Sequence, residues 1–256
     1  MPTKLVCLTD PASPAAEAYR RLRVNLMARG RDAGLRSLLV AAVSLDAQGG
    51  VNSLGKASVV ANLAVTFARV AKKVVLVDCD LRYPAQHTLF GLANQAGVTT
   101  VLQSGVSLLQ SGVSLPDRAD DDDTGARSIP LPLQATDLPG LRVLTSGPAV
   151  AVPSELIASP LMTGLITRLC EEADLVLFDT PPVALATDAA ELATQVDGVL
   201  LTISAGHTKR EDARRAADLL AKVGATLVGA VLVDAAADAQ VRRYLSTPQQ
   251  TDATSP

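Results

Sequence analysis

The chain has 256 residues, of which 48% are hydrophobic, and carries a formal net charge of −3. That length allows one large α/β domain or two small ones, and the acidic balance argues against a general nucleic-acid binder. Aromatic residues make up only 2%, with no Trp, so any core has to be built from Val, Leu, Ile and Ala.

The N-terminal segment 1–14 contains prolines and is expected to be an extended arm. Ser13-Pro14 then opens a helix, with Ser as cap and Pro in the first turn. The helix over 15–29 carries Glu17, Arg20 and Arg23 at three-residue steps, which places them near one face. Such a face is either solvated, with a weak ion pair, or a contact between subunits.

Ser37–Val43 is an aliphatic run suited to a strand covered on both sides. A glycine-bearing stretch follows, then a helical pattern over 57–71 with Val60, Leu63, Ala64 and Phe67 at helical spacing. Between strand and helix, Gly50-Val-Asn-Ser-Leu-Gly55-Lys56 has the G-x-x-x-x-G-K spacing of a phosphate-binding loop. Glycines let successive N–H groups curl inward, and the following helix adds its positive N-terminal end. Lys56 would reach the terminal phosphates. The next position calls for Ser or Thr as a Mg²⁺ ligand, but it holds Ala57, and the hydroxyl comes one residue late, at Ser58.

Lys73–Asp78 is the next strand and runs into Asp78-Cys79-Asp80-Leu81-Arg82. Ligands of open parallel sheets bind at the carboxyl ends of strands, so these acids are candidates for handling metal or water. His87 falls in a short helix and turn and is expected to be structural. Leu102–Leu108 and Leu109–Leu115 repeat LQSGVSL word for word, a tandem duplication that suits a surface loop. With the run Asp120–Asp123, this marks 103–139 as a mobile loop insertion.

Strands are predicted over 141–145, 174–179, 197–204 and 225–233, the last as a buried strand. Helices are predicted over 154–172, with a break at Pro160, and over 187–195 and 207–223. The strand Asp174–Asp179 closes on a carboxylate, the Walker B pattern of an acid that holds Mg²⁺ through water. Residues 15–233 thus read as a single α/β domain, a mainly parallel sheet with helices on both faces. Residues 234–256 read as a flexible tail. Cys7, Cys79 and Cys170 lack metal-ligand spacing, and an odd thiol count without an export pattern predicts a reducing, cytoplasmic location. No apolar run reaches the roughly 18–20 residues needed to span a bilayer.

Several words taken together resemble one family. They are AEAYRRLRVNL at 16–26, ANLAV at 61–65, VVLVDCDLR at 74–82, LFGL at 89–92, FDTPPV at 178–183, TDA at 187–189 and VDGVLL at 196–201. In order and spacing they are similar to the cytoplasmic bacterial tyrosine kinases of capsule and exopolysaccharide synthesis, relatives of the Min and Par P-loop ATPases. The resemblance implies ATP and Mg²⁺ as ligands. It implies a nucleotide cradle at Gly50, Gly55, Lys56, Ala57 and Ser58, with Lys56 on the β- and γ-phosphates. Asp78 and Asp80 would be the second acidic motif, one near Mg²⁺ and one near the incoming hydroxyl, and Asp179 the Walker B acid. Glu17, Arg20 and Arg23 match a motif associated with ring-like self-association. A membrane-embedded polysaccharide chain-length regulator is the implied partner and activator, and would recruit the chain to the inner face of the membrane.

The chain departs from that pattern in several places. Where the family commonly reads P-G-E-G-K-S-T, residues 52–58 read NSLGKAS. The loop is longer than the family's, and two registers fit: extra residues before Gly50, or Asn52-Ser-Leu54 inserted inside a GGV…GK word. The tail offers Tyr244 in place of a tyrosine cluster, and the last strand closes on Val233 where Asn is common near adenine. Three functions follow: a tyrosine kinase acting through Mg-ATP, a kinase-like structural partner of a membrane polysaccharide chain-length regulator with impaired nucleotide binding, or a Min/Par-like ATPase without kinase activity.

Overall fold

A computed structural model describes residues 5–44, 54–70, 72–110, 131–236 and 243. Within them the chain runs α1 (Val6–Thr9), α2 (Pro14–Ala33), β1 (Ser37–Ala42), α3 (Leu54–Ala68), β2 (Val74–Asp78), α4 (Gln86–Phe90) and α5 (Val98–Gln110). It continues β3 (Gln134–Ala135), β4 (Leu141–Leu144), α6 (Pro153–Ile157), α7 (Pro160–Glu172), β5 (Leu175–Asp179), α8 (Asp188–Ala193), β6 (Gly198–Ser204), α9 (Arg210–Lys222) and β7 (Leu227–Val233). The strands form one sheet in the order β3-β4-β2-β5-β1-β6-β7, parallel except for the short β3–β4 pair. This is the predicted α/β architecture.

Strand parity explains the two-sided core. In β1, Leu38 and Val40 pack on one face while Leu39 and Ala41 pack on the other. In β5, Leu175 and Leu177 lie on the first face and Val176 and Phe178 on the second. The first face is covered by α1, α2 and α3, and the second by α5 to α9. All five residues of β2 and of β5 are buried, which is why these strands read as unbroken aliphatic runs.

Local chemistry sets the element ends. Ser13 Oγ accepts the Ala16 N–H at 3.2 Å, as an N-cap should, with Pro14 opening α2. Gly91, at φ 65°, closes α4 in the left-handed conformation that favours glycine.

Three expectations differ from the structure. The arm over 1–14 is not extended throughout: Val6–Thr9 forms a helical turn with Cys7 buried. The Cys7 N–H donates to Asn62 Oδ1 at 2.9 Å, which fastens the turn to α3. The first copy of the LQSGVSL repeat is helical rather than loop, because Val98, Val101 and Leu102 give α5 an apolar face against the core. Residues 111–130, with the Asp run, lie outside the described residues. Finally, β7 is not a buried strand. It is the sheet's edge, with Leu227 39% and Leu232 58% exposed, since an aliphatic run alone cannot tell an edge from a centre.

Candidate nucleotide site

The parity that builds the core also aims the acids. Val74 and Leu76 point to the α3 face, so Asp78, two residues on, points there too. The same alternation carries Leu175 and Leu177 to Asp179. Asp78 and Asp179 stand opposite each other in register across the β2–β5 pair, and both are fully buried. The first turn of α3 meets them from above, and this is where Lys56 lies.

Lys56 is the hub. Its Nζ lies 2.8 Å from Asp80 Oδ2 and 3.1 Å from Asp179 Oδ1, and it also donates to the Thr180 carbonyl. The Lys56 side chain is only 8% exposed. Burial pulls its ammonium down, but the Asp179 and Asp80 charges and their hydrogen bonds outweigh this and hold it above the usual lysine range. Burial also raises the Asp179 carboxyl, and Asp80 adds to it, against the pull of Lys56 and a Gln86 amide bond.

Asp78 faces the chain that follows it. Its Oδ2 accepts the N–H groups of Ala85 at 3.0 Å and Gln86 at 2.9 Å, and its Oδ1 accepts the Asp80 N–H at 3.3 Å. Burial, with the Asp179 charge beside it, pushes the Asp78 carboxyl up to about 8. Asp80 Oδ1 accepts the Tyr83 N–H at 3.0 Å. The segment after β2 thus folds round its own two acids. Arg82 then closes it against α8 through a 3.2 Å ion pair with the buried Asp188.

At the loop end, Gly55 is exposed and Ala57 is fully buried. The Ser58 hydroxyl donates to the Gly55 carbonyl at 2.7 Å, a bond within the helix rather than toward the acids. A cleft of about 700 Å³ opens beside this turn. Gly55, Lys56 and Ser58 line one end, and Tyr19, Leu22 and Val231 line the walls that α2 and β7 provide. Gly50 and Tyr244 lie outside the described residues.

Of the sequence-predicted residues, the structure brings Lys56, Asp80 and Asp179 into direct contact and places Asp78 beside them. It places Glu17, Arg20 and Arg23 on α2, away from the acids, with Glu17 lining the cleft. Glu17 pairs with Arg20 at 2.7 Å, Arg20 donates to the Pro11 carbonyl, and Arg23 donates to the Thr66 carbonyl on α3 at 2.8 Å. Sequence reasoning missed two residues, Gln86 and Asp188. Asp188 falls inside a family-like word, yet its burial under Arg82 is visible only in three dimensions. Gln86 carries no pattern at all.

The residues fit a magnesium ion that also binds a nucleotide. Among the described residues, no three His, Cys or acidic side chains form a complete ion cage. Mg²⁺ asks for no such cage, because it is held by one or two carboxylates together with substrate phosphates and water. Buried oxygens without a partner, Gln86 Oε1 and Thr180 Oγ1, border the acids.

Comparison with known proteins bears on this geometry. No family model matches the chain. It is 35% identical to the tyrosine-protein kinase YwqD of Bacillus subtilis, over 91% of this chain and 86% of that protein. It is 30% identical to the putative tyrosine-protein kinase CapB of Staphylococcus aureus, over 87% of this chain and 85% of that protein. Among solved structures, the kinase domain of the Escherichia coli tyrosine kinase ETK superposes with a TM-score of 0.74 at 26% identity, covering 91% of this chain and 82% of that one. MinD in its complex with MinC from Aquifex aeolicus shares the fold, with a TM-score of 0.51 at 19% identity over 77% of this chain and 67% of that one.

Proposed function

The chain belongs to the bacterial tyrosine-kinase family, and from that premise we propose that it binds Mg-ATP and passes the γ-phosphoryl group to a tyrosine hydroxyl. The observation that carries the proposal is the Lys56 ammonium held between Asp80 and Asp179 at the mouth of a cleft.

In this reading Lys56 leaves the acids and takes up the β- and γ-phosphates. Asp179 and Asp78 would hold Mg²⁺, which would supply positive charge against the phosphates. Asp80, freed from Lys56, accepts the proton of the tyrosine hydroxyl as that oxygen bonds to phosphorus and the ADP oxygen departs. Phosphoryl transfer asks a protein mainly for position and charge, and these residues supply both. Gly55 and Ser58 border the phosphates, and the cleft between α2 and β7 receives the rest of the nucleotide.

Self-association through Glu17, Arg20 and Arg23, and activation by a membrane-embedded polysaccharide chain-length regulator, belong to the same proposal. Arg20 and Arg23 already have acceptors within the chain, so a contact between copies would use their remaining donors. No helix among the described residues is long and apolar enough to cross a membrane.

Ala57 favours a second reading, a kinase-like chain that assembles with the polysaccharide machinery without catalysis. Its methyl group replaces the expected hydroxyl, and Ser58 is bonded to its own helix. Incubation with γ-labelled ATP and Mg²⁺ separates the two. The kinase reading predicts label on tyrosine, reduced by Tyr244→Phe and abolished by Asp80→Asn. No label on the chain or on a co-purified activator, together with no Mg²⁺-dependent ATP binding, supports the second reading. Release of phosphate without labelled tyrosine supports a Min/Par-like ATPase.

A further inference from the structure

Gln86, the first residue of α4, is fully buried and touches every acidic strand end of the site. Its backbone N–H donates to Asp78 Oδ2 at 2.9 Å. Its side-chain Nε2 donates to Asp179 Oδ2 at 2.8 Å and to the carbonyl of Ala57 at 3.1 Å. Those two acceptors fix which end of the amide is nitrogen, since a reversed amide would set oxygen against oxygen at both. With Nε2 committed twice, Oε1 is left buried and without a partner. Buried polar atoms are nearly always partnered, so an orphan oxygen in such a place calls for a reason.

The reason lies at residue 57. A P-loop presents a hydroxyl to the cation from this position, and Ala57 has none. The Gln86 amide nitrogen is bonded to the backbone carbonyl of Ala57 and to the Walker B acid, so the same amide keeps a buried, uncommitted neutral oxygen next to both. We propose that Gln86 replaces the absent hydroxyl: its Oε1 serves the hydrated divalent cation of the site, while its Nε2 holds Asp179 in position. The inference rests on the Mg-ATP reading given above. Mg²⁺ keeps several of its waters when bound, so an amide oxygen that accepts from one of them suffices.

A double-mutant cycle on the full chain tests this, using ATP titrations followed by calorimetry, with Mg²⁺ and with EDTA. Gln86→Met conserves volume and removes both amide atoms. It should weaken Mg²⁺-dependent ATP affinity about tenfold, the scale of losing a group that serves a metal from outside its ligand set. With EDTA it should change ATP affinity little. In an Ala57→Ser background, where the hydroxyl is restored, the same change should cost about twofold or less, a non-additive pair. Gln86→Leu, which also removes both amide atoms, carries the same expectation if Gln86→Met does not fold. An equal loss in both backgrounds, or a loss that persists in EDTA, would overturn the role of Gln86 alone. Absence of Mg²⁺-dependent binding in the unmodified chain would overturn this proposal together with the reading it rests on.

Discussion

Strands β5 and β7 look alike on paper and behave differently in the molecule. LVLFD and LVGAVLV are both short aliphatic runs. β5 lies between β2 and β1, is buried along its whole length, and delivers Asp179 to Lys56. β7 is the edge, its side chains partly in water, and it ends at Val233 on the rim of the cleft. Beyond it Asp234 turns at φ 59° and accepts the Ser204 hydroxyl at 2.6 Å. The centre of the sheet is therefore where the site's charges are fixed, and the edge is where its shape is free to vary. One departure from the family pattern falls accordingly: the acids of the centre are present, while Val233 at the edge stands where Asn is common in the family. Ala57, at the start of α3, departs within the centre itself.

This contrast can be broken by mutation. The largest expected effect is in the core. Leu177 is fully buried, so Leu177→Ala should cost about 2–5 kcal/mol in denaturant unfolding. A smaller loss would mean that the central strands are loosely packed. Next, Lys56→Met should weaken Mg-ATP binding by about a hundredfold, equivalent to about 2.7 kcal/mol, and a variant that binds as tightly as the parent would place the phosphates elsewhere. Ala57→Ser should tighten Mg²⁺-dependent ATP binding by about tenfold, or about 1.4 kcal/mol.

A pH scan probes the buried acids more gently. The folded chain holds the Asp78 proton up to about pH 8, against an ordinary value of 3.8. Between those limits the folded state binds more protons than the unfolded one, so this group's contribution to stability falls as pH rises. Without metal or nucleotide, the melting temperature should therefore drop from pH 5 to pH 8, and Asp78→Asn should flatten that drop. An unchanged slope in the variant would show that Asp78 titrates normally. The smallest effect belongs to the edge. Leu232→Ala should alter stability by no more than about 0.5 kcal/mol.

Much of this was legible in the sequence for stated reasons. Unbroken aliphatic strands alternating with helices specify a parallel sheet covered on both faces, and that sheet is observed. The acids were findable because they close such strands: Asp78 and Asp179 each follow a run whose parity aims them at α3. The edge position of β7 was not legible, because strand order depends on which crossovers pack together rather than on the strand's own composition. Nor was Gln86, since its meaning comes from three bonds to segments 29 and 93 residues away and to a neighbouring turn. The intramolecular bonds of Arg20 and Arg23 were hidden in the same way. A three-residue spacing shows that they share a face, not what that face meets.

The central claim is that Lys56, Asp80 and Asp179 form a working Mg-ATP site despite Ala57. Calorimetric titration of ATP into the unmodified chain, with Mg²⁺ and then with EDTA, tests it most directly. Saturable binding with a Kd between about 1 µM and 1 mM, weakened when the metal is removed, is the predicted result. Heats that do not differ between Mg²⁺ and EDTA, or no binding in either, would contradict it.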